Sequence, residues 1–237
     1  MATMYAQTMR PHWRTAQGRP APRFAAHVGG GSSLRVVGLG HSARHARVSG
    51  RVLTVAQGTL SATVGTDGSG TCGEYGNLDE VEARLPFTPE FQKVFLEKYW
   101  QKRPLLIRQA VPNFESPVEP EELAGLACDE EVTARLILER GGTQPWEVKY
   151  GPFQEETFET LPETHYSLLV PGLDRQVPEV SELLNLFPFI PRWRFDDVMA
   201  SYSPEHGSVG PHSDTFDVFL LQANGRKSWE VSDDPRP

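Results

Sequence analysis

"GPHSDTFDVFLLQANGRKSWEV", residues 210–231, decides how the rest of the chain is read. A buried strand needs only apolar residues, and Phe216 to Leu221 supply most of them. His212 and Asp214 at the mouth of that run, and Lys227 behind an Asn-Gly turn, ask for a separate explanation.

Alternate residues of a strand share a face, so His212 and Asp214 are expected to point at one common place while Ser213 faces away. An imidazole and a carboxylate suit a divalent iron. With one further histidine they make the two-His, one-carboxylate set, which leaves three metal positions open for a bidentate 2-oxo acid and dioxygen. If Asn224-Gly225 is a two-residue hairpin turn, Gln222 faces Lys227 and Leu220 faces Trp229. Counting back in twos from Gln222 reaches Asp214 and His212, so ligands and lysine fall on one side of the sheet. A straight strand from 214 to 222 would span roughly 26 Å, so the chain is expected to bend near "DTFD". An ammonium at the inner end of an apolar barrel would then anchor the far carboxylate of a dicarboxylic co-substrate, with Arg226 facing outward. The plain alternative is a polar loop followed by a solvated hairpin lysine. An H-x-D triplet alone is a weak motif, and it is the combination with the apolar strand, the Gly turn, the Lys and the Trp that is specific.

The 237 residues are 38% hydrophobic and 10% aromatic, enough for one good-sized core with a flanking segment. Charge is unevenly divided. Residues 1–66 hold eight arginines, no lysine and no acid, so residues 67–237 keep 23 − 8 = 15 basic against 31 acidic residues, +8 against −16. An acidic body argues against non-specific adhesion to nucleic acid. Cys72 and Cys128 do not form the pattern of a disulfide-stapled domain or a thiolate zinc site, and no apolar run approaches the roughly 20 residues that span a bilayer. A soluble protein of a reducing compartment is expected, without membrane partners.

Three regions follow. Residues 1–66 form an Arg-rich, acid-free leader with the composition of an organellar transit peptide, or else an unstructured extension. A mitochondrial or plastid address follows from the first reading, a cytoplasmic or nuclear one from the second. Residues 67–84 are a Gly-rich linker, and folded sequence is expected from Leu85 to residue 237. Within it, Thr88 caps a helix with Pro89 at its first position and Phe91, Val94, Phe95 and Tyr99 at helical spacing. Pro104 ends that helix and "LLIRQ" reads as a strand. "EPEELAGLACDEEV" is a helix, "ARLILER", "WEVKYGPF" and "HYSLLV" are strands, "VSELLNLFPFI" is helical, and "RWRFDDVMASYS" leads as a strand into the opening stretch. Many short strands behind a few helices indicate an antiparallel barrel or jelly roll.

The set "YWQKRPLLI", "PEELAGLA", "YGPF", "HYSLLV", "RWRFDDVMASYS" and "GPHSDTFDVFLLQANGRKSWEV" resembles the JmjC-domain, cupin-type ribosomal oxygenases, colinearly from about residue 87 to 231. The match is to the bacterial-type branch, which acts on an arginine of a ribosomal protein; the human-type branch acts on histidine. The resemblance implies a mainly β fold with flanking helices, the double-stranded β-helix or jelly roll, incomplete at the C-terminus. It implies iron(II) at His212 and Asp214, 2-oxoglutarate on Lys227, dioxygen as co-substrate and a ribosomal protein substrate. The bacterial branch often has arginine at the lysine position. The family's second histidine lies on a later strand, so the resemblance implies that this chain stops at "SDDPRP" before the third ligand. The homodimer of the related enzymes is built from helices beyond the same point.

His165 and His206, the other histidines of the body, do not match the third ligand and read as surface or strand-end residues. Trp100, Trp146, Trp193 and Trp229 read as core or domain-packing residues. Asp196 and Asp197 read as caps or ion-pair members, and Asp217 as a candidate for the barrel mouth. Two rival readings stay open: a catalytically inactive truncated cupin that serves as a protein-binding module, and a cupin enzyme that uses its metal without 2-oxoglutarate.

Overall fold

Thr88 starts the folded body. In the computed structural model its side chain accepts the Phe91 N–H (3.3 Å), and α1 runs Pro89–Lys98 with proline in its first turn, where no N–H is required. Replacing Thr88 by alanine is expected to lower stability by about 1 kcal/mol, read as a shift in the urea midpoint at constant slope. The structure describes residues 79–141, 146–210, 212, 214, 216–225 and 227–231, together with backbone strands at 31–38, 52–56 and 61–64.

The strands are β1 (Gly31–Gly38), β2 (Val52–Ala56), β3 (Ser61–Val64), β4 (Asp79–Val81), β5 (Leu105–Arg108), β6 (Arg135–Glu139), β7 (Trp146–Tyr150), β8 (Tyr166–Val170), β9 (Phe195–Ser203), β10 (Asp217–Gln222) and β11 (Ser228–Val231). Beside α1 lie α2 (Pro120–Leu126), α3 (Glu155–Glu159) and α4 (Pro178–Glu182). Among the described residues, nine strands form one sheet in the order β4-β5-β2-β10-β1-β9-β8-β6-β7, and β11 pairs with β3 in a second. The protein is therefore mainly β with flanking helices. No described helix is long and apolar enough to cross a membrane.

Two sequence expectations change. Strands were expected only from Leu85 onward, yet β1, β2 and β3 lie in the stretch read as leader; most of residues 1–84 lies outside the described residues. The Asn224-Gly225 hairpin does not form. β10 is flanked by β1, antiparallel (Val36↔Phe219), and by β2, parallel (Leu53↔Phe219), so both its edges are taken and β11 pairs with β3 instead. Gly225 still turns the chain, at φ 67°, with its N–H donated to Asn224 Oδ1 at 2.7 Å.

The central strands are buried on both faces, which is why "YSLLV" and "DVFLLQ" read as nearly continuous apolar runs. One face carries Phe219, which stacks on Trp100 (5.6 Å between centroids) and meets Phe187 (4.2 Å), joining α1 and the helical stretch after α4 to β10. Leu168, Val198, Ala200 and Tyr202 share that core. The opposite face holds Leu169, Met199, Val218 and Leu220, all at most 7% exposed, and among them three buried polar residues, Ser167, Ser203 and Gln222. That apolar surround with an embedded polar patch positions the site.

Candidate metal and oxo-acid site

His212 and Asp214 do not sit on a strand. Both lie in the loop that joins β9 to β10, which begins only at Asp217, so strand alternation is not what brings them together. The loop does so through Gly210. Its φ of 75° is a conformation that L side chains rarely adopt, and a Cβ there would stand 2.9 Å from Trp146 Cε2, so both the turn and the close approach require glycine. The Gly210 carbonyl then lies 2.9 Å from His212 Nδ1. A carbonyl only accepts, so Nδ1 carries the proton and Nε2 of the neutral ring keeps its lone pair.

That Nε2 lies 3.7 Å from Asp214 Oδ2. Two donors each about 2.1 Å from a shared ion can stand that far apart. Their side chains are 43% and 30% exposed, open enough for a ligand to approach. A backbone carbonyl that fixes the far nitrogen of an imidazole is the usual support of a metal-binding histidine. The donor set fits a divalent transition metal: one nitrogen and one carboxylate oxygen, converging, with the tautomer fixed. Among the described residues no group of three or more His, Cys, Asp or Glu is placed to hold a metal.

Lys227 Nζ reaches Ser203 Oγ at 3.3 Å and lies over the Trp229 ring, 5.2 Å from its centroid. Ser203 is 6% exposed and its hydroxyl is 2.8 Å from that of Ser167, which is fully buried. Burial pushes the Lys227 ammonium below the ordinary lysine value. A cation withdrawn from water with the Ser203 hydroxyl beside it, and with no carboxylate paired to it among the described residues, is a ready receptor for a carboxylate. Ser203 and Ser167 were not picked out from the sequence. The available signal was serine inside two largely apolar strands, Ser167 in "YSLLV" and Ser201 and Ser203 in "VMASYS".

The remaining candidates are engaged with other partners. His165 and His206 stack on each other at 4.9 Å, held by Thr164 and by the Glu205 backbone. Asp217 is 7% exposed and accepts from Gln101 Nε2 at 2.8 Å, a buried tie rather than a mouth residue. Asp197 accepts the Gly172 N–H at 2.8 Å, and the Asp196 carbonyl accepts from Arg175. Trp193 is 70% exposed, contrary to the core expectation, while Trp100, half-buried, packs against the core and Trp146, also half-buried, lies against Gly210. Burial and then Glu155 and Glu156 push the Cys128 thiol to about 11, which keeps it a thiol. Cys72 lies outside the described residues.

Parts of the chain are similar to known proteins. The JmjC domain family matches residues 182–237. A probable ribosomal oxygenase of Haemophilus influenzae is 44% identical over 156 residues, covering 65% of this chain and 37% of that protein. The ribosomal protein uL16 3-hydroxylase of Escherichia coli is 43% identical over 139 residues, 59% of this chain and 36% of that protein. The crystal structure of Escherichia coli ribosomal oxygenase YcfD matches with a TM-score of 0.50 at 40% identity, over 56% of this chain and 35% of that one. A further structure of that protein, with a TM-score of 0.49 over 54% of this chain and 34% of that one, contains cobalt and 2-oxoglutarate. This chain spans a little over one third of the length of these curated relatives. Its colinear motifs and its 43–44% identity to these two proteins make this chain similar to the JmjC domain family over residues 182–237 and to bacterial ribosomal oxygenases over the matched stretch.

Proposed function

We propose that the chain serves as an iron(II)- and 2-oxoglutarate-dependent hydroxylase of a ribosomal protein, with arginine as the side chain modified. The observation that carries this reading is the pairing of two receptors near one loop: His212 Nε2 facing Asp214 Oδ2 at 3.7 Å, and the withdrawn Lys227 ammonium on Ser203. His212 and Asp214 would hold the metal, and Lys227 with Ser203 would hold the far carboxylate of the oxo acid. Iron bound there would supply the dioxygen activation that hydroxylation of an unactivated carbon requires.

The chain's own residues do the rest by placement. The Gly210 carbonyl keeps the His212 proton on Nδ1, and the apolar residues Leu169, Met199, Val218 and Leu220 line the sheet face that carries Ser203 and keep water from competing for Lys227. A body of net charge −16 beyond residue 66 favours encounter with a basic segment of a ribosomal protein, and a guanidinium-bearing substrate suits that field. The relatives' names carry the same substrate class: one is a uL16 3-hydroxylase.

The test is succinate release on mixing the protein with iron(II), 2-oxoglutarate and ribosomal proteins. The expected result is release that depends on both the oxo acid and the ribosomal protein, with a gain of about 16 Da located on an arginine by fragmentation. A gain on histidine overturns the arginine assignment alone. Binding of ribosomal protein without succinate release overturns the enzyme reading in favour of a binding module, and oxidation without any need for 2-oxoglutarate overturns the co-substrate.

A further inference from the structure

The loop that carries His212 and Asp214 is seated on the sheet at three places. At Gly207 an added Cβ would stand 2.3 Å from the Tyr166 carbonyl oxygen and 2.8 Å from Ser203 Cβ, so the backbone lies directly on β8. At Ser208 the carbonyl accepts from Ser167 Oγ at 3.3 Å. At Gly210 the chain lies against the Trp146 ring. Between these points the Gly210 N–H donates to Ser208 Oγ at 3.2 Å.

Ser167 joins this seat to Lys227. Its hydroxyl has one proton, and the Ser208 carbonyl can only accept, so that proton goes to Ser208. The 2.8 Å contact with Ser203 must then be donated by Ser203, whose own oxygen accepts from Lys227. Every proton is committed in one direction: Lys227 to Ser203, Ser203 to Ser167, Ser167 to the Ser208 carbonyl. Such aligned chains polarise one another and fix each member's rotamer. A serine with no exposed surface, on a strand otherwise apolar, thus stands between the carboxylate receptor and the loop that holds the metal-binding pair.

We propose that Ser167 is a positioning residue which locks the His212–Asp214 loop at a fixed spacing from Lys227, so that one oxo-acid molecule can engage both ends at once. This rests on the assignment of His212, Asp214 and Lys227 made above and goes beyond it by naming what couples the two receptors. An acid that bridges two receptors gains affinity from the second contact only when their spacing is held, because a loose loop returns the gain as lost entropy. The Lys227 ammonium has three N–H groups and can keep Ser203 while it grips a carboxylate.

The experiment measures 2-oxoglutarate binding by Trp fluorescence and calorimetry, with and without cobalt(II), in the wild-type chain, Ser167→Ala and Gly207→Ala. In wild type cobalt tightens 2-oxoglutarate binding. Ser167→Ala is expected to leave metal-free binding within about twofold and to reduce the cobalt-dependent tightening by about tenfold. Gly207→Ala keeps the serine but cannot keep the 2.3 Å approach, so it should show the same loss of tightening; it also reads the coupling if the buried Ser167→Ala variant fails to fold. A role in stability alone would lower the unfolding midpoint and leave the tightening intact, and that result overturns the inference while leaving the receptors standing. Absence of cobalt-dependent tightening in wild type overturns the receptor assignment itself, and the inference with it.

Discussion

His212→Ala is expected to remove divalent metal binding almost entirely, with the cobalt(II) dissociation constant rising more than about a hundredfold and the fold left intact. Loss of a partner that merely orients a metal-bound histidine already weakens affinity by about 10- to 100-fold, so loss of the imidazole itself exceeds that range. Asp214→Ala should behave alike, and the double variant should be little worse than either, since a site that has lost one of two converging donors has little left to lose. Stability is the control that gives the result its meaning. The two side chains are 43% and 30% exposed, so their removal should change unfolding free energy by only about 0.5 kcal/mol. Metal uptake measured by calorimetry alongside a urea titration checks both halves. If the alanine variants bind cobalt as wild type does, the loop is only a connection and the iron reading fails.

The parts of this structure that could be read from the sequence are those set by neighbours in the chain. Thr88 and Pro89 announce α1 because cap and first turn are local chemistry, and the structure starts the helix there. "LLIRQ", "ARLILER" and "HYSLLV" all lie in strands, since four or five apolar residues between breakers leave little else. α3 was not anticipated: five residues of "EETFE" make little more than one turn and carry no repeat. The hairpin expected at Asn224-Gly225 failed for a different reason. The turn residues are right, but strand pairing is decided by which edges are free, and β1 and β2 from a distant part of the chain occupy both edges of β10. Nothing in residues 217–231 reports that competition.

The site divides in the same way. H-x-D drew attention to residues 212 and 214 through strand alternation, whereas their convergence comes from a glycine at φ 75° wedged against Trp146, some sixty residues earlier in the chain. Lys227 was placed by a register that the chain does not adopt, and it still reaches the face of Ser203. The serines that serve it were invisible because each is ordinary alone; only the cross-strand meeting of β8 with β9, in register at Leu168↔Tyr202, sets Ser167 beside Ser203.

Lys227→Met separates folding from function by moving them in opposite directions. Methionine fills much the same volume without a charge, so the variant loses the carboxylate receptor. Truncating one member of a buried charge pair costs about 2–5 kcal/mol of binding, and the expected loss of 2-oxoglutarate affinity is about a hundredfold. Stability should rise. Burial holds the Lys227 ammonium below its ordinary value, so at neutral pH the folded chain carries a charge it would rather not carry, and the unfolded chain carries the same charge in water. The sign of the pH dependence follows. Below the folded pKa both states are protonated and the penalty is fully present. Between that pKa and the ordinary lysine value the unfolded state binds more protons, so wild-type stability climbs with pH; above both it is level. The methionine variant has no such climb, and its advantage over wild type should shrink as pH rises through that window. Wild-type affinity for 2-oxoglutarate should fall across the same window, because the acid requires the protonated amine, while the residual affinity of Lys227→Met should show no such fall. Thermal unfolding and calorimetric titration at a series of alkaline pH values measure both curves on one sample. A variant that is less stable than wild type at neutral pH, or that keeps wild-type affinity for the acid, would mean that Lys227 is held in place by interactions other than the receptor role given to it.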